Sequence, residues 1–178
     1  MSHAKRIREL ILRLARLGAS ASWHDDLNPA QASALGYLAR ANRFSRAPSH
    51  VADYLGTTRG TMSQTLKALE RKGYVTEARS EADKRSITFD LTEAGTMAAA
   101  QQGALERAIA TLPRETQSEL EEHLTSALIQ LIEANGGRAF GVCRTCRHHQ
   151  HSRGEHHCGL LNVVLSAEEP DQLCHEFA

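Results

Sequence analysis

The chain has 178 residues, room for one domain with an appendage, and 41% of them are hydrophobic, enough for a core although aromatics make up only 4%. Its 21 Lys and Arg balance 21 Asp and Glu, which argues for modest non-specific affinity for nucleic acid but does not exclude it, because residues 1–46 carry eight basic side chains against three acidic ones. No stretch approaches the ~18 consecutive apolar residues of a membrane span, and the N-terminus lacks the apolar segment of a secretory signal, so the expected location is the cytoplasm.

Residues 4–23 read as a helix, with Ile7, Leu10, Ile11, Leu14 and Leu17 on one stripe and basic residues between them. Asn28-Pro29-Ala30-Gln31 starts a second helix running to about Asn42. Asn caps it, Pro occupies its first turn, and Gln reaches back toward the cap. From Pro48 to Leu91 the pattern is helix, tight turn, helix and two strands. Val51, Ala52 and Leu55 form a short apolar face, and Gly56 follows where a left-handed residue is cheap.

Thr58 is placed to cap the next helix, Arg59 to Lys72, by accepting from the Thr61 amide. Met62, Leu66 and Leu69 form its inner stripe, and its other faces are small, polar and basic. Thr57, Thr58, Arg59, Thr61, Ser63, Gln64 and Lys67 are the candidate DNA contacts. Gln64 suits an adenine edge, and Arg59 and Lys67 suit bases or phosphates. A solvated outer face is the bland alternative for one helix alone. The hairpin that follows, Tyr74–Arg79 and Ile87–Leu91, shifts the balance toward DNA. Its loop carries Arg85, suited to a minor groove, with Asp83 as a supporting ion-pair partner.

Thr92 caps a long helix expected from Glu93 to about Thr111, and Pro113 opens another to about Ala134. Leu120, Leu124, Ala127, Leu128 and Leu131 make an apolar stripe that, with the first helix, is expected to form a dimer interface. Asn135-Gly136-Gly137 is the clear boundary in the chain.

All four cysteines follow that boundary: Cys143, Cys146, Cys158 and Cys174, spaced C-x2-C, eleven residues, C, fifteen residues, C. Four thiolates so spaced suit zinc first, or an iron–sulfur cluster. Redox-switchable thiols without metal are a further reading, and a disulfide is improbable in a reducing compartment. Six of the ten histidines lie here too; one of them can replace a cysteine as ligand, or they form a solvated loop. The apolar content of the tail is too small for an unaided core.

Residues 27–95 resemble the MarR family of bacterial transcription regulators. The resemblance is carried by Leu27-Asn28-Pro29-Ala30-Gln31, Leu55-Gly56, Gly60-Thr61-Met62-Ser63, Leu69-Glu70-Arg71-Lys72-Gly73-Tyr74-Val75, Asp83-Lys84-Arg85-Ser86 and Leu91-Thr92-Glu93-Ala94-Gly95, in this order and spacing. It implies a homodimer on a pseudo-palindromic operator, usually a repressor, with Arg85 in the minor groove and Thr61, Ser63 and Gln64 near the major groove. It says nothing of the tail.

The expected architecture is therefore mainly α (α+β): an N-terminal dimerisation helix (1–27), a winged helix-turn-helix (28–92), C-terminal dimerisation helices (93–137) and a metal-stapled module (138–178). A regulator answering to a small molecule, bound between the dimerisation helices and the DNA-binding lobe near Trp23, His24 or Tyr37, is the alternative. An enzyme or electron-transfer protein is a third reading, but no phosphate loop, no HExxH and no nucleophile–base pair supports it. No cysteine precedes position 143, so peroxide sensing by a cysteine of the DNA-binding or dimer region is excluded.

Overall fold

The computed structural model describes residues 2–21, 26–79, 87–101, 103–152 and 154–178. Among them are seven α-helices: α1 (His3–Ala21), α2 (Pro29–Arg40), α3 (Pro48–Tyr54), α4 (Arg59–Arg71), α5 (Glu93–Ala99), α6 (Ala104–Ala110) and α7 (Arg114–Ala134). The strands form three small antiparallel sheets: β1 (Val75–Arg79) with β2 (Ile87–Leu91), β3 (Gly141–Val142) with β7 (Leu173–Cys174), and β4 (His149–Ser152), β5 (Glu155–Cys158) and β6 (Val163–Leu165) in that order. The result is the expected mainly helical winged-helix fold.

Local chemistry sets the element boundaries in the central lobe. Asn28 Oδ1 accepts from the Gln31 amide at 2.9 Å and Gln31 Oε1 accepts from the Asn28 amide at 3.2 Å, a reciprocal cap on α2. Gly56 (φ +62°) turns the chain between α3 and α4. At the end of α4, Gly73 (φ +79°) lets the Tyr74 amide reach the Leu69 carbonyl at 3.0 Å while its own amide reaches Glu70 at 2.9 Å, the two bonds of a Schellman cap. These turns fold α2, α3, α4 and the β1–β2 hairpin around one core of Leu35, Tyr37, Leu38, Val51, Met62, Leu66, Leu69, Val75 and Phe89.

The helix expected over Glu93–Thr111 is broken. α5 ends at Ala99, and α6 restarts after Gly103, whose amide donates to Glu106 Oε2 at 2.7 Å. Glycine is a poor helix former, and a new cap competes there with continuation. The break lets α6 pack on α1, where Leu105 sits against Gly18. By contrast α7 buries none of its residues, and Leu120, Leu124, Leu128 and Leu131 are 38–61% exposed. Ile7, Leu10, Leu14 and Leu17 of α1 are similarly exposed. The stop after α7 falls where the sequence places it, with Gly136 left-handed and the Gly137 amide on the Ile132 carbonyl.

Two glycines test this packing. A Cβ on Gly95 would lie 2.0 Å from the Tyr74 carbonyl oxygen, whereas one on Gly36, inside α2, would meet nothing within 4 Å. Gly95→Ala is expected to lower unfolding free energy by at least about 2 kcal/mol through forced displacement of backbone, and Gly36→Ala to raise it by about 0.5–1 kcal/mol. Urea titration followed by circular dichroism reads both, and equal effects would contradict the placement of α5 on Tyr74.

Candidate nucleic-acid interface and cysteine module

The outer face of α4 begins at a well-made N-terminus. Thr58 Oγ1 accepts from the Thr61 amide at 3.1 Å and lies 2.8 Å from Thr61 Oγ1. Thr58, Arg59, Gly60, Thr61 and Gln64 are exposed, while Thr57, Ser63 and Lys67 are half-buried. Lys67 differs from its neighbours, because its ammonium is held by Glu70 at 2.9 Å and by Glu77 of β1, and it lies over the Phe89 ring. Those hydrogen bonds push the Lys67 pKa up, the one to Glu77 first. In this arrangement its charge braces α4 against the wing. The wing-tip residues Asp83 and Arg85 lie outside the described residues. At the base of the wing, Arg46 bonds Asp90 at 2.7 Å and the Ala41 carbonyl at 3.0 Å, and the Phe89 amide donates to the Arg46 carbonyl at 3.1 Å.

A cavity of about 590 Å³ lies where α1, α2, α5 and α6 meet, lined in part by Gly18, Leu27, Leu35, Gly36, Met97 and Leu105. Of the three side chains expected near such a cleft, Trp23 and His24 lie outside the described residues. Tyr37 is in the core instead, against Tyr54 and Phe140, with its hydroxyl donating to the Ser45 carbonyl at 2.7 Å.

The tail gathers its cysteines from separate elements. Cys143 and Cys146 flank a 3₁₀ turn closed by the Cys146 amide on the Cys143 carbonyl at 3.0 Å. Cys158 ends β5, paired with His149, and Cys174 ends β7, paired with Gly141. Cys143, Cys158 and Cys174 are buried and Cys146 is half-buried. Burial first, and then the nearby Cys174, Cys158 and Cys146, push the Cys143 thiol up to about 11. As placed, no three His, Cys, Asp or Glu among the described residues already form a metal-holding group. His149, His151 and His156 stand together on the β4–β5 hairpin, the first and last joined by a 2.9 Å ring-nitrogen contact.

One set of residues here carries no local sequence signal. Residues 41–50 are fastened to the tail. The Asn42 amide donates to the Leu173 carbonyl and the His175 amide to Ser45 Oγ, both at 2.9 Å. Arg43 binds Glu169 at 2.8 Å and the Val164 carbonyl at 2.9 Å, and the His50 and His175 rings stack at 3.4 Å. Burial, then the neighbouring His175, pushes the His50 imidazole down to about 4. These contacts join segments more than a hundred residues apart, beyond the reach of spacing arguments.

The central lobe, with a capped helix behind a tight turn and a two-stranded wing beside it, can be set against known proteins. Residues 25–86 match the model of the MarR family. An organic hydroperoxide resistance transcriptional regulator of Bacillus subtilis (strain 168) is 35% identical over 74 residues, 42% of this chain. The chain spans about half the length of that relative. Among solved structures, a MarR transcriptional regulator from Methanosarcina mazei Go1 superposes with a TM-score of 0.61 at 22% identity, covering 73% of this chain and 99% of the other. Streptococcus pneumoniae FabT, solved in complex with DNA, gives 0.55 at 25% identity, covering 74% and 98%. The fold is thus MarR-like, and the family match ends before the cysteine module begins.

Proposed function

We propose that this chain is a homodimeric transcription regulator of the MarR type, a repressor, that places α4 in the major groove of a pseudo-palindromic operator and Arg85 of the wing in the minor groove. The observation that carries the reading is the exposed, capped start of α4 within the MarR-matching stretch. A MarR-like fold in complex with DNA, FabT, supports it. Thr57, Thr58, Arg59, Thr61, Ser63 and Gln64 are the contacts we assign to α4. Lys67 joins them only by leaving Glu70 and Glu77. The exposed leucines of α1 and α7 support the dimer, since a monomer would leave a large apolar surface in water.

Selection from a random duplex library should return a two-half-site operator, and Gln64→Ala should relax preference at one position per half-site at a cost of about 1–3 kcal/mol. Leu124→Glu with Leu128→Glu should give a sedimenting monomer that no longer protects both half-sites. Failure of the intact chain to enrich any sequence would remove the operator reading.

The cysteines, in the same proposal, hold one metal centre, zinc first and an iron–sulfur cluster second. The donor chemistry fits: four thiols enter one small module from three places, and a cysteine turns its sulfur by a single χ1 rotation. The chemistry a metal supplies there is cross-linking of strands whose own core is small. Full-length protein purified without oxygen should carry about one zinc per chain, or iron with acid-labile sulfide. Cys143→Ser should lose it, and stoichiometric metal retained in that variant would exclude the assignment.

The cavity favours a second reading, a small apolar effector held between α1, α2, α5 and α6, since its volume lies within the range of ligand pockets. Thermal shift against a panel of small aromatic acids tests it. Stabilisation that Gly36→Leu abolishes is expected, and no shift with any of them counts against this reading.

A further inference from the structure

The cysteine module is fastened to the helix-turn-helix at the residues that flank a cysteine. Cys174 sits between Leu173 and His175. The carbonyl of the first accepts from Asn42, and the amide of the second donates to Ser45. Ala41 and Leu173 form an isolated parallel bridge, so the last strand of the tail continues against the end of α2. Phe44 packs into the cluster of Cys143, Cys158 and Leu165. Arg43 closes the far side on Glu169, which is 4% exposed, and the Glu169 carboxylate also accepts from the Ser166 amide at 2.7 Å.

The same short segment faces the DNA-binding elements on its other side. Arg46 holds Asp90 of β2 and offers its carbonyl to Phe89. His50, in α3, stacks on His175. Residues 41–50 therefore lie between the cysteines and both parts that shape DNA contact, the wing and the helix-turn-helix.

We propose that the cysteine module is the regulatory input of this protein, and that metal occupancy of Cys143, Cys146, Cys158 and Cys174 controls DNA affinity through residues 41–50 within each protomer. This rests on the metal reading given above. The module's own apolar cluster is Cys143, Cys158 and Leu165 with Phe44 and Val163 beside it, too little to order five short strands unaided. When the metal leaves, the strand carrying Cys174 loosens. Asn42 and Ser45, both buried, then lose their partners in the tail. The junction must find other partners or open to water, and either change moves Arg46 and α3. Both sites bias one element, which is what coupling between them requires.

The test uses the full-length protein and an operator selected from a random duplex library. Metal content is measured first; affinity and amide hydrogen exchange are then compared before and after chelation. Chelation is expected to speed exchange at the Asn42, Phe89 and His175 amides, leave the middle of α7 unchanged, and weaken operator binding about tenfold, within the range typical of coupled sites. Arg43→Ala with Ser45→Ala should keep the metal and the dimer but bring the ratio of metal-free to metal-bound affinity toward one.

A chain that never holds metal on its cysteines fails the metal reading, and this inference with it, before DNA is involved. A chain that holds metal yet shows the same exchange at residues 41–50 and the same affinity without it overturns the regulatory inference alone. So does a double variant that keeps the full affinity ratio, or an exchange change confined to α1 and α7.

Discussion

Two buried polar residues hold the molecule together at its centre. Asn42 and Ser45 are 1% and 0% exposed, and between them they organise the turn from α2 to α3. Asn42 Oδ1 accepts from Ser45 Oγ at 2.7 Å and from the Phe44 amide at 3.2 Å, while the Ser45 carbonyl accepts from Tyr37. The remaining groups reach outward, the Asn42 amide to Leu173 and Ser45 Oγ to the His175 amide. A buried polar pair is stabilising only when nearly all its groups are satisfied, and leaving one unpaired costs about 1–3 kcal/mol. Neither residue can stay buried and satisfied without both the core behind it and the tail in front, which makes the turn a shared boundary of two modules.

The parts legible in the sequence are those whose cause is local. Asn28 and Gln31, Thr58 and Thr61, Gly56, Gly73 and Gly136 each act within a few residues of their own position, and each stands in the role its type suggests. The inner stripe of α4 is equally plain, because Met62, Leu66 and Leu69 are all buried. The break at Gly103 has a weaker local cause. One glycine within an Ala-rich stretch lowers helix propensity only modestly, and the packing of α6 on α1 decides the outcome. The cysteines stand out by spacing, but nothing in Asn42-Arg43-Phe44-Ser45 announces a partner beyond position 160.

Charge on α4 is distributed in a way that composition alone does not reveal. Lys67 is engaged with Glu70 and Glu77, so its cation ties α4 to β1. Exposed ion pairs contribute little to stability individually, but this one joins α4 to the first strand of the hairpin. Arg59 and Gln64 remain exposed on α4. Arg71, the other basic residue of α4, is exposed as well.

The tail's position bears on how it can influence binding. Among the described residues, its hydrogen bonds and ion pairs to the central lobe fall on Asn42, Arg43 and Ser45, with the His50 stack beside them, and none falls on Thr57–Lys67. A tail that acted by covering the outer face of α4 would have to contact that face. This one instead grips the support behind it. Its contacts with the central lobe lead to α3, through His50 and through Phe140 on Tyr54, and to the hairpin, through Arg46 at the same turn. The constraint also separates the tail from the cavity between α1, α2, α5 and α6, which it does not line. The tail and the cavity thus meet the central lobe at two separate places.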